Sequence, residues 1–123
     1  MEGILSLSPE VVLRVLRPSE AGTVFSLVER NREHLRQWLP WVDQMNSVGR
    51  ERAFLEVSYR GYLRRGGFHF GIRYQGQLAG LIGFHGFDPV NRVTSLGYWL
   101  GAEFCGKGIM RTAVRGCVEY AFA

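Results

Sequence analysis

The sequence predicts an α+β fold, and three observations carry that expectation. Apolar residues follow a helical period through most of the chain before residue 66, a period of two from residue 68 to residue 100, and a helical period again from residue 109. Helices and strands are therefore segregated along the chain instead of alternating one by one, which separates α+β from α/β architecture. The two changes of period coincide with Gly66-Gly67 and with Gly106-Lys107-Gly108, where a backbone has to turn.

Residues 11–17, VVLRVLR, are β-branched and predict a strand. Pro18-Ser19 then supplies a stop and an N-cap for a helix reaching about Arg30. In NREHLRQWLPW, Leu35, Trp38 and Leu39 recur at i, i+3 and i+4, so a short amphipathic helix halted by Pro40 is expected, with Trp38 and Trp41 as core or groove wall. A longer helix is expected over about residues 47–65, closed by the glycine pair. FHFGIRY alternates Phe68, Phe70, Ile72 and Tyr74 against His69, Gly71 and Arg73, which is strand spacing. Gln75-Gly76-Gln77 makes a tight turn, LAGLIGFHGF at residues 78–87 returns, DPVNR turns again, and VTSLGYWL at residues 93–100 completes an antiparallel meander. The last segment pairs Ile109/Met110, Ala113/Val114, Cys117/Val118 and Ala121/Phe122 against Arg111, Arg115 and Glu119, a one-sided helix.

Composition narrows the function classes. A chain of 123 residues with 46% apolar and 21% charged residues supports one globular domain, with no repeat or linker. No apolar run approaches the roughly 18 residues of a membrane span, and MEGILSLSPE lacks the pattern of a secretory signal, so a cytoplasmic location without membrane association is expected. Cys105 and Cys117 fit neither a disulfide framework nor a metal knuckle and are read as buried thiols; no metal site is expected. The net charge is +4, with Lys107 the only lysine against fourteen arginines, and these are scattered among glutamates instead of forming a basic block. A specific nucleic-acid partner is accordingly not expected; an RNA- or ribosome-associated basic domain is the weaker reading and requires a steep salt dependence.

Lys107 sits between two glycines where a strand turns into the last helix. Such a helix start offers unpaired N–H groups and the positive end of the helix dipole, and glycines let those groups approach an anion closely. A GxG alone is as consistent with a plain loop, and it is neither GxGxxG nor GxxxxGK[ST], so dinucleotide and P-loop readings fail.

SLGYWLGAEFCGKGIMRTAV, together with NREHLRQWLPWV upstream and the GF…DPVNR…LGYWL run, resembles the GCN5-related N-acetyltransferases (GNAT), and more narrowly their RimJ/RimL group. The resemblance covers about residues 11–122; Glu103 stands where the family's phosphate loop usually carries Gln or Arg. It implies a mixed sheet with a central antiparallel meander flanked by helices, in a single acetyl-CoA-binding domain over residues 1–123. Because the family continues with another strand, a helix and a hairpin, a chain shortened at its C-terminus is expected. The implied reaction is transfer of acetyl from acetyl-CoA to a primary amine by direct attack on the thioester, the acceptor being a protein N-terminus, such as a ribosomal protein's, or a small amine. Backbone groups of Tyr98, Trp99 and Leu100 would hold the pantetheine arm, and the N–H groups of Cys105, Gly106, Lys107, Gly108, Ile109 and Met110 the pyrophosphate. For the base, His85 and Ser95 are the candidates, with Asp88, Asn91, Glu33 and His34 explained adequately by turns and a solvated helix face. The alternative is a non-catalytic acyl-CoA-binding or regulatory module. An exposed edge on the third meander strand makes self-association an expectation.

Overall fold

The computed structural model describes residues 3–88 and 93–121, with residues 86–88 and 93–95 described by backbone alone. Its centre is a five-stranded sheet in the order β1 (Ile4–Ser6), β2 (Val11–Val15), β3 (Phe68–Tyr74), β4 (Gln77–Asp88) and β5 (Val93–Leu100), antiparallel at every pairing. The helices are α1 (Ala21–Arg30), α2 (Arg32–Arg36), α3 (Val48–Leu63) and α4 (Ile109–Ala121).

Period-two alternation assigns the two faces of the sheet. Phe68, Phe70 and Phe84 surround Tyr120 of α4, with ring centroids 5.7–6.1 Å from that phenol. On the opposite face His69 packs on Phe54 of α3 with centroids 4.8 Å apart, and α1 lies beside α3. Both layers close over one core that includes Leu13, Ile72, Ile82, Leu27 and Leu55, each almost wholly buried. Residue 71 is closely packed: a Cβ there would meet the Leu16 and Leu78 side-chain ends at 2.9 and 3.0 Å and push them aside.

Several local expectations change. The strand β1 has only three residues and no legible alternation; it exists because Ile4, Leu5 and Ser6 pair with Arg14, Leu13 and Val12. Ser19 does not cap α1. Residues 18–20 form a 3-10 turn, and the Glu20 carboxylate accepts the Arg17 N–H at 2.9 Å, as well as Arg14 and Arg73. Trp38 is not core: the turn that continues past α2, with the Leu39 N–H on the Leu35 carbonyl at 2.9 Å, directs Leu35 and Leu39 inward and leaves Trp38 72% exposed. By contrast, Ser47 caps α3 by accepting the Arg50 N–H at 3.2 Å, and Arg65 takes the left-handed conformation (φ 60°) that ends it before the glycine pair. Among the described residues, no helix is long and apolar enough to cross a membrane.

Candidate functional site

The turn into α4 is shaped by two glycines. Gly106 and Gly108 have φ of +80° and +75°, and a Cβ on either would meet nothing within 4 Å. Glycine is therefore needed for the sign of φ, not for lack of room. The N–H groups of residues 106–111 find no acceptor among the described residues, whereas Cys105 donates its N–H to the Ala102 carbonyl at 3.2 Å and so is already bonded within the chain. Lys107 and Cys105 are exposed, Ile109 is buried and Met110 half-buried. Exposure of Cys105 corrects the expectation of two buried thiols: the preceding 3-10 turn buries Phe104 in its place. Buried Asn31 at the end of α1 ties this loop down. It accepts the Ala102 N–H at 2.8 Å and donates to the Glu103 carboxylate at 3.3 Å.

Tyr98, Trp99 and Leu100 lie on β5, opposite Ile82, Leu81 and Gly80. The Gly101 N–H donates to the Ala79 carbonyl at 2.8 Å, so the antiparallel alternation directs the Trp99 main chain toward β4. The N–H and C=O groups of Tyr98 and Leu100 then face away from β4, along the outer edge of the sheet, since β5 is its last strand among the described residues. Of the three residues expected to hold a pantetheine arm through the backbone, two present it outward.

Beside that edge lies a cavity of about 560 Å³ whose wall includes Gly97, Tyr98 and Trp99 of β5. Trp41, Gln44 and Met45 bound it from the connection between α2 and α3, which accounts for the groove-wall expectation for Trp41. Its floor is a row of glycines under two imidazoles. His69, Gly83 and Gly97 are cross-strand neighbours. A Cβ at residue 83 would meet His69 Cδ2 at 2.4 Å, and one at residue 97 would meet His85 Nε2 at 2.7 Å. Both histidines line the cavity. Burial pushes the His69 imidazole down to about 4, with the neighbouring His85 ring acting in the same direction. Its Nδ1 is buried without a hydrogen-bond partner.

The cavity also holds a residue that the sequence reading missed. Glu51 occupies the buried stripe of α3 with Leu55 and Ser58, is 2% exposed, and lines the cavity. Burial pushes its carboxyl up to about 7, against the opposing pull of Arg32. A carboxylate in phase with a buried helix stripe is the signal that would have found it. Ser95, Asp88 and Asn91 lie outside the described side chains. His34 is half-buried, 3.9 Å from the Cys105 thiol, and Glu33 is exposed. Among the described residues no cluster of three or more metal-ligating side chains occurs.

Comparison with known proteins finds relatives of the chain and its fold. The family profile described as an acetyltransferase (GNAT) domain matches residues 10–123. YdaF of Bacillus subtilis (strain 168), provisionally named a ribosomal N-acetyltransferase, is 33% identical over 117 residues, 94% of this chain. The chain spans 64% of that relative's length. The ribosomal-protein-serine acetyltransferase of Escherichia coli (strain K12) is 24% identical, with 98% of this chain and 67% of the relative aligned. Among solved structures, RimL, a ribosomal L7/L12 alpha-N-protein acetyltransferase in complex with coenzyme A, superposes with a TM-score of 0.90 at 26% identity, covering 95% of this chain and 66% of that one. The microcin C7 self-immunity acetyltransferase MccE, in complex with acetyl-CoA and AMP, shares the fold at a TM-score of 0.92 and 24% identity, covering 98% and 67%.

Proposed function

Because the chain belongs to the GNAT acetyltransferase domain family, we propose that it transfers an acetyl group from acetyl-CoA to a primary amine, with a protein N-terminus, such as a ribosomal protein's, as the acceptor. One observation carries this reading: unbonded amides at the head of α4, an outer backbone edge on β5 and a cavity open to solvent on one side meet along the stretch from Gly97 to Met110. The first suits a diphosphate, the second an amide-bearing arm added like a strand, and the third an acceptor. The complexes of RimL with coenzyme A and of MccE with acetyl-CoA support the donor, and the names of YdaF and the Escherichia coli relative support the acceptor class.

In this reading the acceptor nitrogen attacks the thioester carbon while the main-chain groups of β5 and α4 hold the donor still. Positioning of the two reactants then supplies much of the acceleration. Lys107 adds an exposed positive charge beside the diphosphate, and Asn31 keeps the loop in the conformation that aims its amides outward.

Thiol release from acetyl-CoA tests the proposal, using a peptide with a free α-amine against the same peptide with a blocked one. Release is expected only with the free amine. The Gly106→Glu/Gly108→Glu variant, which brings two carboxylates to the phosphate position, is expected to lose it by about 100-fold or more, a loss of nearly 3 kcal/mol. Acetyl-CoA binding by the wild type without release would favour the non-catalytic acyl-CoA-binding module, and no binding at all would remove both readings.

A further inference from the structure

The Glu51 carboxylate has no packing reason to be where it is. Positions 51, 55 and 58 form the buried side of α3, and an apolar or amide side chain at residue 51 would avoid burying a charge. No described group hydrogen-bonds its side chain, and its backbone N–H donates to the Ser47 carbonyl at 3.2 Å. Among the described residues lining the cavity, Glu51 alone carries a negative charge. Tyr98 and Trp99, on the strand edge where the thioester would lie, line the same cavity.

Resting on the acetyl-transfer reading above, we propose that Glu51 is the base that takes the proton from the acceptor amine in this cavity. The acceptor arrives as an ammonium, which an apolar cavity would reject without a counter-charge. One N–H proton passes to a Glu51 carboxylate oxygen, freeing the nitrogen lone pair. Nitrogen attacks the thioester carbon, the N–C bond forms, the C–S bond breaks, and its electron pair leaves on sulfur. The second nitrogen proton ends on that sulfur as coenzyme A thiol, and Glu51 returns its proton to water. A carboxyl held near 7 by burial is matched to this exchange, because it is ionised enough to accept and basic enough to pull. The titratable and charged groups around it are Arg32 of α2, which favours the ionised form, His69 of β3, His85 of β4 and the Tyr98 phenol of β5. His69 stays uncharged above about pH 4, so it brings no competing positive charge into the cavity at neutral pH.

Glu51→Gln and the similarly sized Glu51→Leu test the assignment through four readouts: thermal melting, acetyl-CoA affinity, acetylation rate of a free-amine peptide, and the pH profile of kcat/KM. Melting temperature is expected to hold or rise, acetyl-CoA affinity to stay within twofold, and the rate to fall about 100-fold or more. The wild-type profile is expected to rise through an ionisation near 7 that the variants lack, leaving only the acceptor's own ionisation near 8. Variants that melt far lower, or that acetylate as fast as wild type with the limb near 7 intact, would overturn the assignment while leaving acetyl transfer standing. A wild type that binds acetyl-CoA without turnover, or does not bind it, would overturn both.

Discussion

Cys105 and Cys117 look alike in the sequence and differ in reactivity through position alone. Cys117 lies on the buried stripe of α4, and burial pushes its thiol up to about 12. Cys105 is exposed beside the glycine turn. Because thiolates and not thiols are alkylated, iodoacetamide is expected to modify Cys105 in the native protein and Cys117 only after unfolding. Peptide mass spectrometry checks this, and saturating acetyl-CoA is expected to slow Cys105 modification if the adjacent loop holds the diphosphate. Equal native rates at the two positions would contradict the burial assignment. The same contrast explains Glu51. Its residue type suggests a solvated helix face, and only the packing of α3 against the sheet turns it inward. The glycines at 106 and 108 were legible because a left-handed φ is a local need that residue type reveals.

Elements show where local pattern suffices and where partners decide. The meander was legible because Phe68, Phe70 and Ile72 alternate strictly and Gln75-Gly76-Gln77 turns the chain, with Gln75 at φ 52° and Gly76 at φ 83°. The strand β1 was not, since its three residues become a strand only by pairing with β2. The edge strand β5 invites a direct test. Tyr98→Pro removes an outward N–H from an exposed position, so the fold is expected to survive while acetyl-CoA binding weakens about tenfold, the worth of one hydrogen bond. Trp99→Pro removes an inward N–H and a buried side chain, and is expected to cost about 3 kcal/mol or more of stability. Urea melts and a CoA titration separate the two. The reverse ranking would show that the backbone alternation of β5 runs the other way.

Stability against pH belongs to the whole molecule, because two desolvated groups of opposite sign, Glu51 and half-buried His69, share one cavity. The carboxyl of Glu51 titrates near 7 when folded against an ordinary value near 4.5, so the folded state holds more protons between those values and stability falls as pH rises through them. His69 titrates near 4 when folded against 6.5, so the unfolded state holds more protons there and stability rises as pH goes from 4 to 6.5. Each effect is on the order of 3 kcal/mol, and they partly cancel between about pH 4.5 and 6.5. Removing one unmasks the other: Glu51→Gln is expected to gain stability steadily from pH 4 to 6.5, and His69→Phe to lose it from pH 4.5 to 7. Denaturant midpoints across that range provide the check, and parallel curves for the two variants would refute it. This balance was invisible in the sequence, as was the cavity itself. Alternation, turn chemistry and the paired glycines are set by neighbours within a few residues, so the sequence by itself determined the meander, the final helix and the left-handed glycine turn that opens it. The tertiary structure alone decided that Glu51, His69 and His85 share one cavity beside the outer edge of β5, because burial and proximity arise only when α3 closes over the sheet and brings residues far apart in the chain into one low-dielectric space.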